Sequence, residues 1–337
     1  MTGNTGNTGN TGNTGNTGNT GNTGISGDAG SWLVPDRADF PFSMESATAA
    51  DGRIRDLQRS VHIRLDPTSG SYKKILFMNA AVGGEPATFA DRNWAARWIA
   101  FRVLTEFAAT NWNTNQLNDT LADILLGLND TVDGKTNQAR EIKNLLAAAR
   151  DERASALGEI LAQDGEFITA FMEALAMTPA SHPQTFRLLH IASLAGSFSA
   201  LYYKQVFQRP RPSWECPALM PPIPVPGHSS YPSGHATQAH LMATCLAKML
   251  KIVSPALPQA DQTALTETLM ALARRVARNR EIAGLHYPSD SAAGAALASV
   301  AFAKLSEHSG MGQSAGDYTL KSFGEAVTKA AAEWKAE

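Results

Sequence analysis

The sequence predicts an all-α protein built as a multi-helix bundle. Apolar residues recur at a spacing near 3.6 in one segment after another. Strand-like alternation is confined to a weak signal in Val61-His-Ile63-Arg-Leu65, and prolines gather between the periodic segments rather than within them. Together these give roughly eight to ten helices, more than a mixed fold would carry.

Thr2 to Asn22 is a tandem Thr-Gly-Asn repeat with no apolar residue, so nothing in it offsets the entropy of ordering. Residues 1–30 are therefore expected to be a disordered tail, and 31–337 a single helical domain. Within that domain, 31–180 forms an N-terminal helical part, 181–310 a core and 311–337 a C-terminal helix. Ser31 to Pro67 reads as an extended lead-in. Trp94, Trp98, Val103 and Phe107, in four-apart pairs, mark a helix from about Ala87 to Thr110. Further helices are expected over Leu117–Leu128, Thr136 to about Gln163, and Phe167–Met177, with Pro179 and Pro183 breaking the pattern. Next comes Phe186 to about Gln208, stopped by Pro210 and Pro212. A proline-dense loop from Pro217 to Pro226 follows. Helical spacing returns over His235–Ile252, Gln259 to about Arg280, Pro288–His308 and Phe323–Trp334.

An apolar content of 43% supports a real core, and a net charge of −2 argues against nucleic acid or an acidic membrane surface as partner. No run approaches the ~18 apolar residues of a spanning helix, and the start lacks a basic region followed by an apolar one. The expectation is a soluble, cytoplasmic protein. Cys216 and Cys245 have no metal-like spacing; a disulfide between them stays open, and no disulfide framework is implied.

Three short runs carry the chemistry. Lys204 and Arg211 stand seven apart at the end of a helix, where both cations can lean toward one point, with Arg209 competing for the same job. Their plain alternative is solvated cations complementing a helix dipole. In Pro232-Ser233-Gly234-His235, Ser233 can cap a helix, Gly234 leaves its N–H open, and His235 lies in the first turn, placed for proton transfer. A bare N-cap with a surface histidine explains that tetrapeptide as well. In Arg280…His286…Asp290, a carboxylate in the first turn after Pro288 can fix the tautomer of His286 and raise the basicity of its other nitrogen. A helix-capping Asp290 with His286 packed on Tyr287 is the duller account. Each run is weak separately, and their coexistence in order is strong.

The runs resemble the pattern Lys-x6-Arg-Pro, Pro-Ser-Gly-His, Ser-Arg-x5-His-x3-Asp of the type 2 phosphatidic acid phosphatase/vanadium-dependent haloperoxidase superfamily. Asn279 stands where that family usually has serine. The resemblance implies a helical bundle of the acid phosphatase/haloperoxidase type with an anion site in its core. Lys204, Arg211, Arg280, Ser233 and the Gly234 N–H would hold the oxygens of phosphate or vanadate. In a phosphatase, His286 would attack phosphorus to give a phosphohistidine. His235 would protonate the leaving alcohol and then activate water, with no cofactor. In a haloperoxidase, His286 would ligate vanadium and His235 would assist peroxide, with halide as second substrate.

The Arg-Pro-Arg-Pro and His-Tyr-Pro-Ser-Asp runs, and Gln205 where haloperoxidases often have tryptophan, look like the phosphatase branch. His228, seven before His235, and the Ala-Thr after His235 look like the other. The reading leans to a phosphatase acting on a small soluble phosphomonoester, with the haloperoxidase second and a non-catalytic helical scaffold third. The loop from Ser213 to Ser230 is expected to rim the pocket through Trp214, Glu215 and His228.

Overall fold

A computed structural model of the chain describes residues 61–65, 72–76, 94–253, 258–307 and 320–334. The expectations for the Thr-Gly-Asn tail, for most of the lead-in, for the start of the helix from Ala87 and for His308 lie outside the described residues.

Two compact units are distinguished, one spanning Gly27–Ala95 and the other carrying everything from Ala96 onward. In the first, β1 (Val61–Leu65) pairs antiparallel with β2 (Tyr72–Leu76), Val61 opposite Leu76 and Leu65 opposite Tyr72. β1 matches the expected alternation. β2 has no such signal, because Tyr-Lys-Lys-Ile-Leu does not alternate and holds its strand through pairing.

The described part of the larger unit is helical except for a tight two-residue ladder, β3 (Thr131–Val132) with β4 (Lys135–Thr136). Its helices are α1 (Ala96–Ala108), α2 (Asn115–Leu126), α3 (Asn137–Asp151), α4 (Arg153–Gly165), α5 (Ile168–Ala174), α6 (Pro183–Phe207), the short α7 (Pro212–Glu215), α8 (Gly234–Val253), α9 (Gln259–Ile282), α10 (Pro288–Glu307) and α11 (Lys321–Ala332). The expected single helix from Thr136 is two, divided at Glu152, which ends α3 and starts α4. Pro183 does not break a helix; it stands at the start of α6, where its missing N–H costs nothing.

Helix α8 lies at the centre, packed on α6, α9, α10 and α11. Apolar on nearly every side, it is buried along most of its length, as a core helix must be. Two neighbours approach it through glycine. A Cβ on Gly196 of α6 would lie 3.0 Å from the Cα of Gln238, and one on Gly294 of α10 would lie 2.7 Å from the carbonyl oxygen of Ser233. Any side chain at Gly294 would force α10 away from the start of α8. Around this centre, α1 and α11 pack on α6, α2 on α10, and α3, α4 and α5 on α9. Among the described residues no helix is long and apolar enough to cross a membrane, and both cysteines are free.

Candidate active site

Three helix ends make the site. At the first, α6 stops at Gln208, whose left-handed conformation (φ 48°) turns the chain while its N–H is given to the Lys204 carbonyl. Arg211 is then extended (φ −73°, ψ 149°) and leads into α7 at Pro212. At the second, Ser233 caps α8: its hydroxyl accepts the Ala236 N–H at 3.3 Å. The next two N–H groups, of Gly234 and His235, have no partner within the helix, as at any helix start. At the third, α9 closes with the Gly284 N–H on the Glu281 carbonyl and the Leu285 N–H on the Arg280 carbonyl, Gly284 taking φ +78°. That geometry favours glycine and turns the chain sharply from Arg280 to His286.

His286 is buried and held at both ring nitrogens. Nδ1 lies 3.1 Å from Asp290 Oδ2, and Nε2 lies 3.1 Å from Arg211 Nη1. A guanidinium only donates, so Nε2 is the acceptor and the proton sits on Nδ1, pointed at the carboxylate. Asp290 Oδ2 also accepts the Tyr287 N–H at 3.0 Å. Capping α10 and orienting His286, rival accounts of Asp290 in the sequence, are therefore done by one oxygen. The Ser233–Gly234 turn is tied to the same residue, because the Ser233 N–H donates to the Asp290 carbonyl at 2.9 Å.

The cations differ in what they have left to give. Lys204 Nζ donates to the Ser229 and Ser230 carbonyls, both at 2.8 Å, leaving one N–H. Arg211 is engaged by the His228 carbonyl and Nδ1, the Leu285 carbonyl and His286. Arg280 is the least satisfied. It is fully buried and Nη2 donates to the Ile160 carbonyl at 2.7 Å, but Nε and Nη1 have no hydrogen-bond partner. Asp164 stands 3.9 Å from Nη1, beyond hydrogen-bond reach. A buried guanidinium with two unpartnered nitrogens is costly unless an anion completes it. Together with the last Lys204 proton and the α8 start, this donor set fits a tetrahedral oxyanion, phosphate or vanadate alike.

His235 stacks on Phe167 with centroids 4.9 Å apart, and its Nε2 lies 3.0 Å from the Gln163 carbonyl. Gln163 is held in turn by Asn279, whose Nδ2 donates to the Gln163 side-chain oxygen at 3.0 Å. The residue that departs from the family pattern thus braces the last turn of α4, which carries the His235 partner. Gln163 and Phe167 come from the α4–α5 junction, which no motif marks. The expected Arg209 alternative is placed elsewhere, on Asp290 and Glu141.

Beside Lys204 and Arg211 lies a cavity of about 470 Å³, with Gln205, Gln208, Trp214 and His228 among its lining residues. Trp214 is 74% exposed at its edge. Glu215, expected at the rim, does not line it; its carboxylate accepts from Gln138 of α3 at 2.7 Å.

Burial, and then the surrounding cations, hold both site histidines well below the ordinary imidazole range: Arg211 and Lys204 act on His286, and Arg280 on His235. Burial first, then Lys204 and Arg211, bring His228 down to about 3. Lys204 is lowered by burial and by Arg211, while Arg211 and Arg280 fall to about 10, mainly through burial. A bound dianion would offset the cationic part of these shifts and leave the part due to burial.

The same burial makes the fold acid-sensitive. His190, in the middle of α6, is lowered from 6.5 to about 4 by burial and the Arg97 charge. Its neutral form gives stability that is complete above the unfolded value and lost as pH falls toward about 4, about 3 kcal/mol in all. His235 and His286 act in the same direction. Melting followed by circular dichroism is expected to show a falling midpoint from pH ~7 to ~4.5, less steep in His190→Gln.

The helical bundle thus brings the ends of α6, α8 and α9 together, with Arg211 on His286 and the Ser233 N–H on the Asp290 carbonyl. The PAP2 superfamily model matches residues 185–308, the stretch from α6 to the end of α10, so the expected family is borne out over that segment. A solved structure similar to this chain is that of the first transmembrane PAP2 type phosphatidylglycerolphosphate phosphatase from Bacillus subtilis. It is 16% identical and covers 61% of this chain and 92% of that one, with a TM-score of 0.29. No curated protein matches the chain.

Proposed function

We infer that the protein is a phosphatase that hydrolyses a small soluble phosphomonoester through a phosphohistidine on His286. The observation that carries this is the orientation of His286: Nδ1–H on Asp290, and Nε2, with its lone pair, turned to Arg211 and the cation cluster. In the first step Nε2 would attack phosphorus while the bond to the ester oxygen breaks, and His235 would give that oxygen its proton. In the second, His235 would take a proton from water as the water attacks, and the P–N bond breaks to release phosphate. Lys204, Arg211, Arg280, Ser233 and the Gly234 N–H would hold the charge that spreads over the other oxygens. The neighbouring cavity, lined by Gln205 and Gln208 beside Leu201 and Trp214, offers the alcohol both polar and apolar surface.

One observation favours a second reading, vanadate-dependent oxidation of halide: the His228 imidazole is held on Arg211 at 3.0 Å, at the wall of the same site. Vanadate would be held by the donors that suit phosphate, and would supply the activation of peroxide. Turnover of an aryl phosphate by the purified full chain, run with and without orthovanadate, separates the readings. Bromination of a reporter dye with peroxide, bromide and vanadate is followed in parallel. Phosphate release that vanadate suppresses, with background bromination, supports the phosphatase. Bromination that needs vanadate supports the second reading. Silence in both assays favours a helical scaffold that has kept the pocket.

A further inference from the structure

Glu141 lies on α3, outside the segment that matches the family, and no motif includes it. Its carboxylate nevertheless closes a buried circuit around the base of the site. Oε1 accepts the Ser289 N–H at 2.7 Å, in the first turn of α10. Oε2 accepts the Ser289 hydroxyl at 2.8 Å and Arg209 Nη2 at 3.2 Å. Arg209 Nη1 reaches Asp290 Oδ1 and Ser289 Oγ, both at 2.7 Å, and the guanidinium lies 3.6 Å from the centre of the Tyr287 ring.

The two Asp290 oxygens therefore have separate duties. Oδ2 serves His286 and the Tyr287 N–H, while Oδ1 belongs to Arg209. A carboxylate gripped at one oxygen cannot rotate the other away from the imidazole. Arg209 is gripped in turn by Glu141, which also pins the backbone of the turn that carries Asp290. With carboxylates on two sides, Arg209 is matched and is not part of the substrate-holding set.

We propose that Glu141 and Arg209 are positioning residues that fix the attacking nitrogen of His286 through Asp290. Residues outside the matched segment thereby become part of how the site works. The proposal rests on His286 being the nucleophile. Partners one step removed from a reacting group typically change activity by about 10- to 100-fold when lost, and here they would do so without changing how the substrate anion is held.

The test uses the full chain with Glu141→Gln, Arg209→Met and Arg209→Lys. Glu141→Gln keeps the acceptor for the Ser289 N–H and the side-chain size, so it is the variant that preserves the fold. Two readouts are taken: kcat and KM on an aryl phosphate, and the low-field proton resonance of His286 Nδ1–H. That resonance is assigned by its loss in His286→Ala. The expected result is a kcat lowered about tenfold or more in Glu141→Gln and Arg209→Met, KM within about twofold of the original, and a shifted or broadened resonance. Arg209→Lys should recover part of both. An unchanged kcat and resonance in folded Glu141→Gln overturns the proposal. So does a raised KM at constant kcat in Arg209→Met, which would make Arg209 a substrate ligand. If the unsubstituted protein hydrolyses no aryl phosphate, it is the phosphatase reading that fails, and the resonance alone then decides the positioning.

Discussion

Replacing His286 by alanine is expected to lower aryl phosphate turnover by at least about 10⁴-fold, the scale seen when a covalent nucleophile is removed from a preorganised site. Binding of orthophosphate is expected to persist, because the Arg280 and Lys204 donors are untouched, and Arg211 loses an imidazole partner rather than a charge. The measurement is steady-state hydrolysis by His286→Ala beside a calorimetric titration with phosphate. Rapid turnover by the variant would remove His286 from the role of nucleophile. Loss of phosphate binding would mean that the ring holds the anion rather than attacks it.

Arg280→Met is expected to move activity and stability in opposite directions. Each preorganised donor aimed at developing charge is worth about 10²–10³ in rate, and a guanidinium in phosphoryl transfer about 10³–10⁵. A fall of about 10³ in kcat/KM is therefore expected, with KM rising as well. Yet Arg280 is fully buried with two nitrogens lacking hydrogen-bond partners and Asp164 no nearer than 3.9 Å, so the anion-free fold bears much of the cost of its desolvation. The same substitution should raise the melting temperature of anion-free protein, or leave it unchanged. Arg280→Lys keeps the charge but loses the fork and should fall between. Kinetics and melting of the two variants check this, and a lower melting temperature in Arg280→Met would assign Arg280 a structural role.

Much of this arrangement is legible in the sequence because it depends on helix ends, and helix ends leave local marks. Ser233 before a buried helix, Gly284 after one, and Pro288 with Asp290 opening another each answer to the backbone groups that a helix leaves unsatisfied. The three runs meet because each sits at such an end. Pro183 misleads because a proline that starts a helix looks, in sequence, like one that stops its predecessor. The division at Glu152 is hidden because the residues from Arg153 onward keep the amphipathic spacing of α3. Glu141, Gln163 and Phe167 are beyond reach for a different reason. They act from distant helices through a carboxylate, a backbone carbonyl and a ring face, and nothing in the spacing of α3 or α4 separates them from ordinary helix-face residues. Arg209 and Arg211, two apart in one run, cannot be ranked until their partners are known.

The start of α8 and the first turn of α10 are fastened to each other by main chain: the Ser233 N–H on the Asp290 carbonyl, and Gly294 pressed against the Ser233 carbonyl. Main-chain contacts survive side-chain replacement, so the spacing between the Ser233–Gly234 turn and the His286 imidazole is insulated from most mutation. The exposed ring of Trp214, at the edge of the cavity, has no such constraint. Over evolutionary time, then, the rim of the cavity can vary while the main-chain frame of the site stays fixed. Altered specificity should be sought at Trp214 and the residues beside it on the cavity rim.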